Sequence, residues 1–163
     1  MSDLLTHVLV AYVLATALSF RYDWITPKLV TVAMLGALVP DLTKISLVVA
    51  SSRVETFLGT PFDWFAIHTV GGSLVAITIG ALATSPKHRK KVFVLLLLGM
   101  LSHHLLDAAN VNASGYSYAI LWPLTTYHPP SPNLWLSSDR WPALVSGVAA
   151  VVVWHLRYHR FGE

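Results

Sequence analysis

Five apolar stretches dominate this chain, at residues 4–20, 29–47, 62–84, 92–109 and 142–157. Each approaches the roughly 20 residues that a helix needs to cross a bilayer. Only 12% of the 163 residues are charged and 55% are hydrophobic, where a soluble domain carries about 25% charge. That balance excludes a disordered chain and argues against an ordinary soluble enzyme. The expected fold is all-α, a polytopic membrane helix bundle of about five transmembrane helices in a single integral membrane domain spanning 1–163. The sequence pI of 9.3 reflects an excess of only three charges. The basic residues sit at the ends of apolar runs, so membrane topology explains them and no nucleic-acid partner is expected. With no cysteine, disulfides, thiolate metal sites and a cysteine nucleophile are excluded.

The first stretch contains Ala15-Thr16-Ala17, which looks like a cleavage site, but no Lys or Arg precedes Arg21. A leader peptide needs a basic start, so the stretch is read as a span. Orientation follows from the remaining cations. Arg21 and Lys28, then Lys87, Arg89, Lys90 and Lys91, then Arg157 and Arg160 all fall on one side of a five-span chain. The positive-inside rule makes that side cytoplasmic. The expected localisation is the cell membrane, with the N-terminus outside, the C-terminus cytoplasmic and an outer loop over 110–141. Four prolines, Pro123, Pro129, Pro130 and Pro132, forbid regular structure through much of this loop. Its Tyr116, Tyr118, Trp122, Tyr127 and Trp135, with Trp141, suit the headgroup region. The loop reads either as a lid or as an aromatic-anchored connector.

Ionisable groups inside spans are costly, so each is a functional candidate. They are His7, Asp41, Lys44, His68, His103, His104 and Asp107. In the five-span topology they gather at one depth, near the outer leaflet. Imidazole and carboxylate together suit a divalent metal, with Zn foremost and Mn or Fe as alternatives. His103 and Asp107 are spaced i, i+4 and project from one helix face. His104 is rotated by about 100° from His103 and is read as a supporting or packing residue. Asp41 and Lys44 are i, i+3 and could also simply neutralise each other. Pro40 is expected to bend the second stretch and free backbone carbonyls beside Asp41. Thr6, Thr69 and Ser102 are expected to bond back to the preceding turn. Gly72, Ala76 and Gly80 form a small-residue stripe read as a close helix-packing surface.

These motifs occur in a recognisable order. They run Thr6-His7, Gly36-Ala37-Leu38-Val39-Pro40-Asp41, Ile67-His68-Thr69, Ser102-His103-His104-Leu105-Leu106-Asp107, then Gly115 and Leu121-Trp122-Pro123. The set resembles the YdjM-type family of membrane-bound metal-dependent hydrolases, also described as LexA-regulated inner-membrane proteins, over roughly residues 5–124. The resemblance implies that His7, Asp41, His68, His103 and Asp107 hold the metal. It also implies an all-α fold distantly similar to zinc-dependent phospholipase C, and phosphoester chemistry. Departures are specific. Thr43 stands where the family pattern has a second Asp, Asp63 and Trp64 replace a His-Arg pair, and Thr69 replaces a Ser. Losing two donors bears on whether one metal or two is held.

The expected function is therefore a membrane-embedded metal-dependent hydrolase, a phosphoesterase acting on a lipid or lipid-linked substrate at the outer leaflet. Asp41 and Asp107 are the candidate proton-transfer or ligand-holding groups. Lys44 is the cation that would neutralise charge on a phosphoryl oxygen. The alternative is a non-enzymatic membrane protein or transporter that uses the His/Asp cluster for ions or protons. The partners are the lipid bilayer and a lipid-like or phosphoester substrate.

Overall fold

The computed structural model describes residues 3–162, and among these it contains six α-helices, two 3-10 helices and no strand. The α-helices are α1 (Leu4–Ser19), α2 (Pro27–Leu38), α3 (Ser51–Leu58), α4 (Val70–Leu82), α5 (Arg89–Ala108) and α6 (Trp141–Phe161). One 3-10 helix, Pro40–Leu47, continues α2, and the other, Trp64–His68, leads into α4.

Each helix boundary has a local cause. Asp3 caps α1, accepting from Thr6 N at 2.9 Å and from the Thr6 hydroxyl at 2.7 Å, which satisfies a first-turn amide that has no helical acceptor. α2 starts on Pro27, whose fixed φ suits a first helical position. α3 ends at Gly59, whose φ of 67° lies in the left-handed region that glycine adopts without strain. α4 is capped by the Thr69 side chain, which accepts from Gly72 N. Its next free amides, Val70 and Gly71, donate to the carbonyls of Ile120 and Trp122 in the long loop.

The apolar segments depart from the expected spans in two places. Residues 29–47 are not one straight helix, because Pro40 removes a backbone donor and the chain tightens to 3-10 geometry with a 54° bend. Residues 62–84 are helical as α only from Val70, so α4 has 13 residues. Among the described residues, α5 alone is by length and hydropathy sufficient to cross a membrane, and α2 with its 3-10 continuation passes as a bent pair. α1 and α4 are shorter apolar helices, and α6 runs for 21 residues. Arg89, Lys90 and Lys91, read as loop charges, form the first turn of α5. Arg157, expected on the cytoplasmic side at the end of the fifth stretch, lies within α6, is buried, and donates to the Ser19 hydroxyl and the Ile25 carbonyl.

α5 is the central helix and packs on α1, α2 and α4, while α6 packs on α1. Ala15, Ile25, Val30, Ala33 and Leu95 form one apolar cluster, and Ile77, Leu96 and Met100 form a second. The closest helix approach is between α2 and α5. A Cβ on Gly99 would lie 1.9 Å from the Ala33 carbonyl oxygen, and one on Gly36 would lie 2.2 Å from that of Leu96. The small-residue stripe of α4 serves otherwise than expected. Gly72 sits against the Ala66 carbonyl of its own lead-in turn, and Gly80 has ordinary contact with Leu96.

Candidate metal centre

The α2–α5 approach positions the first candidate ligand. With glycine at 36 and 99, α5 lies close enough for His103 Nδ1 to reach the Ala37 carbonyl at 2.8 Å. The break at Pro40 positions the second, because the Pro40 carbonyl meets His68 Nδ1 at 3.2 Å. A carbonyl only accepts, so both Nδ1 atoms carry hydrogen. The Nε2 atoms of His68 and His103 are then left facing inward.

What they face is a carboxylate. Asp107 Oδ2 is 3.1 Å from His68 Nε2 and 3.3 Å from His103 Nε2, and its Oδ1 is 3.3 Å from His7 Nε2. His7 reaches this point from the second turn of α1 and stacks on His103, with ring centroids 3.8 Å apart. Among the described residues, His7 Nδ1 and Asp41 Oδ2 are buried without a hydrogen-bond partner. Neutral Nε2 lone pairs pointed at carboxylate oxygens repel, so positive charge must lie between them. His7, whose Nδ1 meets no partner among the described residues, can donate from Nε2 in its neutral form, but protonating both His68 and His103 would bury two cations beside one carboxylate, which is costly. A single divalent ion meets the same need with one charge centre.

Two overlapping sets have the spacing for it. The ligand atoms of His7, His103 and Asp107, and those of Asp41, His68 and His103, each lie within 4.8 Å of one another, and all five residues are buried. The structure thus brings together all five residues named as ligands from the sequence. Lys44 joins neither set. Its Nζ pairs with Asp41 Oδ1 at 2.9 Å while its side chain remains 40% exposed. Asp63, which stands where the family pattern has a His, caps the 3-10 turn by accepting from Phe65 N. The hydroxyls of Thr69 and Ser102 bond back to Ala66 and Gly99 carbonyls, whereas that of Thr6 goes to the Asp3 side chain.

His104 belongs to a different network. Ser73 Oγ donates to the Ile67 carbonyl at 2.6 Å, so it accepts from His104 Nε2–H at 3.3 Å. His104 Nδ1 is then an acceptor and takes the hydrogen of Tyr118 Oη at 2.8 Å. Every bond in this chain points one way, because it ends on a carbonyl. Burial, and then the negative charge of Asp107 and Asp41, push the Tyr118 phenol above its ordinary value, so it keeps the proton it donates. Tyr118 is therefore part of the wall of the site rather than a headgroup anchor as read from the sequence.

The loop after α5 closes over this region. Val111 N donates to Trp135 O, Leu134 N to Ala109 O and Ser131 N to Gly115 O. Beneath it a cavity of about 170 Å³ is lined by Phe65, His68, Asp107, Asn110, Ser117 and Tyr118, among others. Ser73, Ser117 and Tyr118 were missed in the sequence, where nothing separates them from other serines and loop aromatics.

The model of a family described as YdjM inner membrane protein matches residues 1–161. No curated protein and no solved structure matches the chain.

Proposed function

The chain belongs to the YdjM inner membrane protein family, and from that premise we propose that it is a membrane-embedded, metal-dependent hydrolase acting on a phosphoester borne by a lipid. The observation that carries this reading is the pair of imidazoles, His68 and His103, whose Nδ1–H groups are committed to backbone carbonyls and whose Nε2 atoms converge on Asp107. Such outer partners are what orient metal-ligating histidines.

The donor set fits a divalent ion held by His7, Asp41, His68, His103 and Asp107, with Zn favoured and Mn or Fe suited to the same ligands. When bound, such an ion supplies Lewis-acid polarisation of a phosphoryl oxygen and acidifies water. The protein's own groups do the remainder. Asp41 and Asp107 hold ligands and accept protons, Lys44 offers positive charge at the edge of the cluster, and Phe65, Tyr118 and the covering loop limit water access.

Membrane position is supported by two features. Val75 and Ile79 of α4, and Leu144, Val148 and Val151 of α6, are exposed, as lipid-facing residues would be. The clustered ends of α1, α2, α4 and α5 lie opposite the ends that carry Arg21, Lys28, Lys87, Arg89, Lys90 and Lys91. The positive-inside rule then sets the cluster at the outer leaflet of a five-crossing chain.

The test is metal content by mass spectrometry on detergent-purified protein, with His68→Ala and His103→Ala alongside. The expected result is at least one ion per chain, lost in both variants, and metal-dependent phosphate release from phosphatidic acid. Folded wild type without metal, or metal retained in both variants, would overturn the metal centre. A metal-loaded protein inert toward lipid phosphoesters would overturn the hydrolase.

A further inference from the structure

Ser117 is a buried polar residue whose side chain neither the fold nor the histidine cluster uses. It is 4% exposed, and its Oγ has no hydrogen-bond partner among the described residues. An unmet buried hydroxyl is costly, so its persistence calls for a partner. The residue is not loosely held. Its N–H donates to the Pro129 carbonyl at 2.8 Å, and its own carbonyl accepts from His128 Nδ1 at 2.8 Å. Its neighbour Tyr118 is anchored through His104 and Ser73 to the Ile67 carbonyl. Ser117 is thus fixed on the wall of the cavity that His68 and Asp107 also line.

The surroundings define what would satisfy it. Tyr118 donates its only hydroxyl hydrogen to His104, and Asp107 is a carboxylate, so neither offers a donor to a ligand in its present state. Ser117 supplies an O–H. At about 170 Å³ the cavity is below the ~300–1,000 Å³ of sites for larger ligands. It suits a compact oxygen-rich group and is too small for a nucleoside or a sugar chain.

We infer that Ser117 is a substrate-binding residue whose hydroxyl donates to a phosphoryl oxygen seated in this cavity beside His68 and Asp107. The inference rests on the metal-centre reading and names the group that recognises the substrate. The same chemistry is presented by free phosphate and by a lipid phosphomonoester.

The experiment measures binding of inorganic phosphate, and separately of dioctanoyl phosphatidic acid, to metal-loaded wild type and Ser117→Ala by calorimetry. Metal content and melting temperature are recorded for each. Loss of a hydrogen bond to a charged oxygen should weaken binding about tenfold. Metal content should not change. Melting temperature should hold or rise, because the variant removes an unsatisfied group. Weakening seen with free phosphate identifies the phosphoryl group itself as the ligand, and weakening confined to phosphatidic acid identifies the lipid-borne form. Ser117→Cys, which keeps the shape with a slightly larger atom but donates weakly, gives the same comparison should the alanine variant fail to fold. Equal affinities in wild type and variant overturn the role of Ser117 alone, and no binding of either ligand to metal-loaded wild type overturns it together with the phosphoester reading. Wild type that holds no metal overturns the functional reading together with it.

Discussion

Gly99→Ala tests whether the metal centre depends on the approach of two helix backbones. The added Cβ would lie 1.9 Å from the Ala33 carbonyl oxygen and 2.6 Å from Ala37 N. Both atoms are backbone, so no side-chain rotation relieves the overlap. Restoring an ordinary 3.4 Å contact requires a displacement of about 1.5 Å between α2 and α5. The same displacement acts on the 2.8 Å bond from His103 Nδ1 to Ala37 O, four residues further along each helix. It would carry that bond well past the ~3.2 Å limit of a normal N–H···O contact. Overpacking costs about 1–3 kcal/mol, and the lost hydrogen bond adds about 1 kcal/mol. Against a total stability of roughly 5–15 kcal/mol, the chain should still fold. The expected outcome is retained helicity by circular dichroism, a lowered melting temperature and loss of bound metal. Gly147→Ala is the control, since its Cβ would meet only Leu9 Cδ1 at 3.9 Å, and both properties should be preserved. Undiminished metal in a stable Gly99→Ala protein would refute the dependence of the site on the α2–α5 approach.

Two further perturbations address the supporting residues. Tyr118→Phe removes the hydrogen that His104 Nδ1 accepts, and should cost about 1–3 kcal/mol in thermal or denaturant unfolding while bound metal is retained; an unchanged melting temperature would refute the contribution of the Tyr118–His104 bond to stability. Asp3→Ala removes both bonds from Thr6 and should destabilise by about 1 kcal/mol. Partial burial raises the Asp3 carboxyl, but the Thr6 hydrogen bonds outweigh it and leave it below its ordinary 3.8. A depressed value means the stabilisation is fully present above that pH and is lost as pH falls through the lower folded value. The stability difference between wild type and Asp3→Ala should therefore shrink on acidification, and a difference constant with pH would contradict the capping role.

The sequence and the structure divide the molecule along a physical line. The helical character of the apolar runs was legible because burying backbone in an apolar setting demands internal hydrogen bonding. The ligand candidates were legible because ionisable side chains are scarce in such runs, and His103 with Asp107 share a face by helical spacing alone. Pro40 announced its break, since a missing amide hydrogen is a local property.

Tertiary contacts decided the rest. The tautomers of His68 and His103 depend on carbonyls of residues 28 and 66 positions away in the chain, which no local pattern encodes. Asp63 became a turn cap because its carboxyl found Phe65 N first. Gly36 and Gly99 carry the tight α2–α5 packing because a facing backbone lies against each, whereas Gly80 of the α4 stripe meets only a side chain. Ser73, Ser117 and Tyr118 gained their places when the loop folded back over the cluster. By itself the sequence determined which residues are chemically able to form a site. Which atoms of those residues face one another, and what walls surround them, follows from long-range packing, because orientation is set by partners that are distant in the chain.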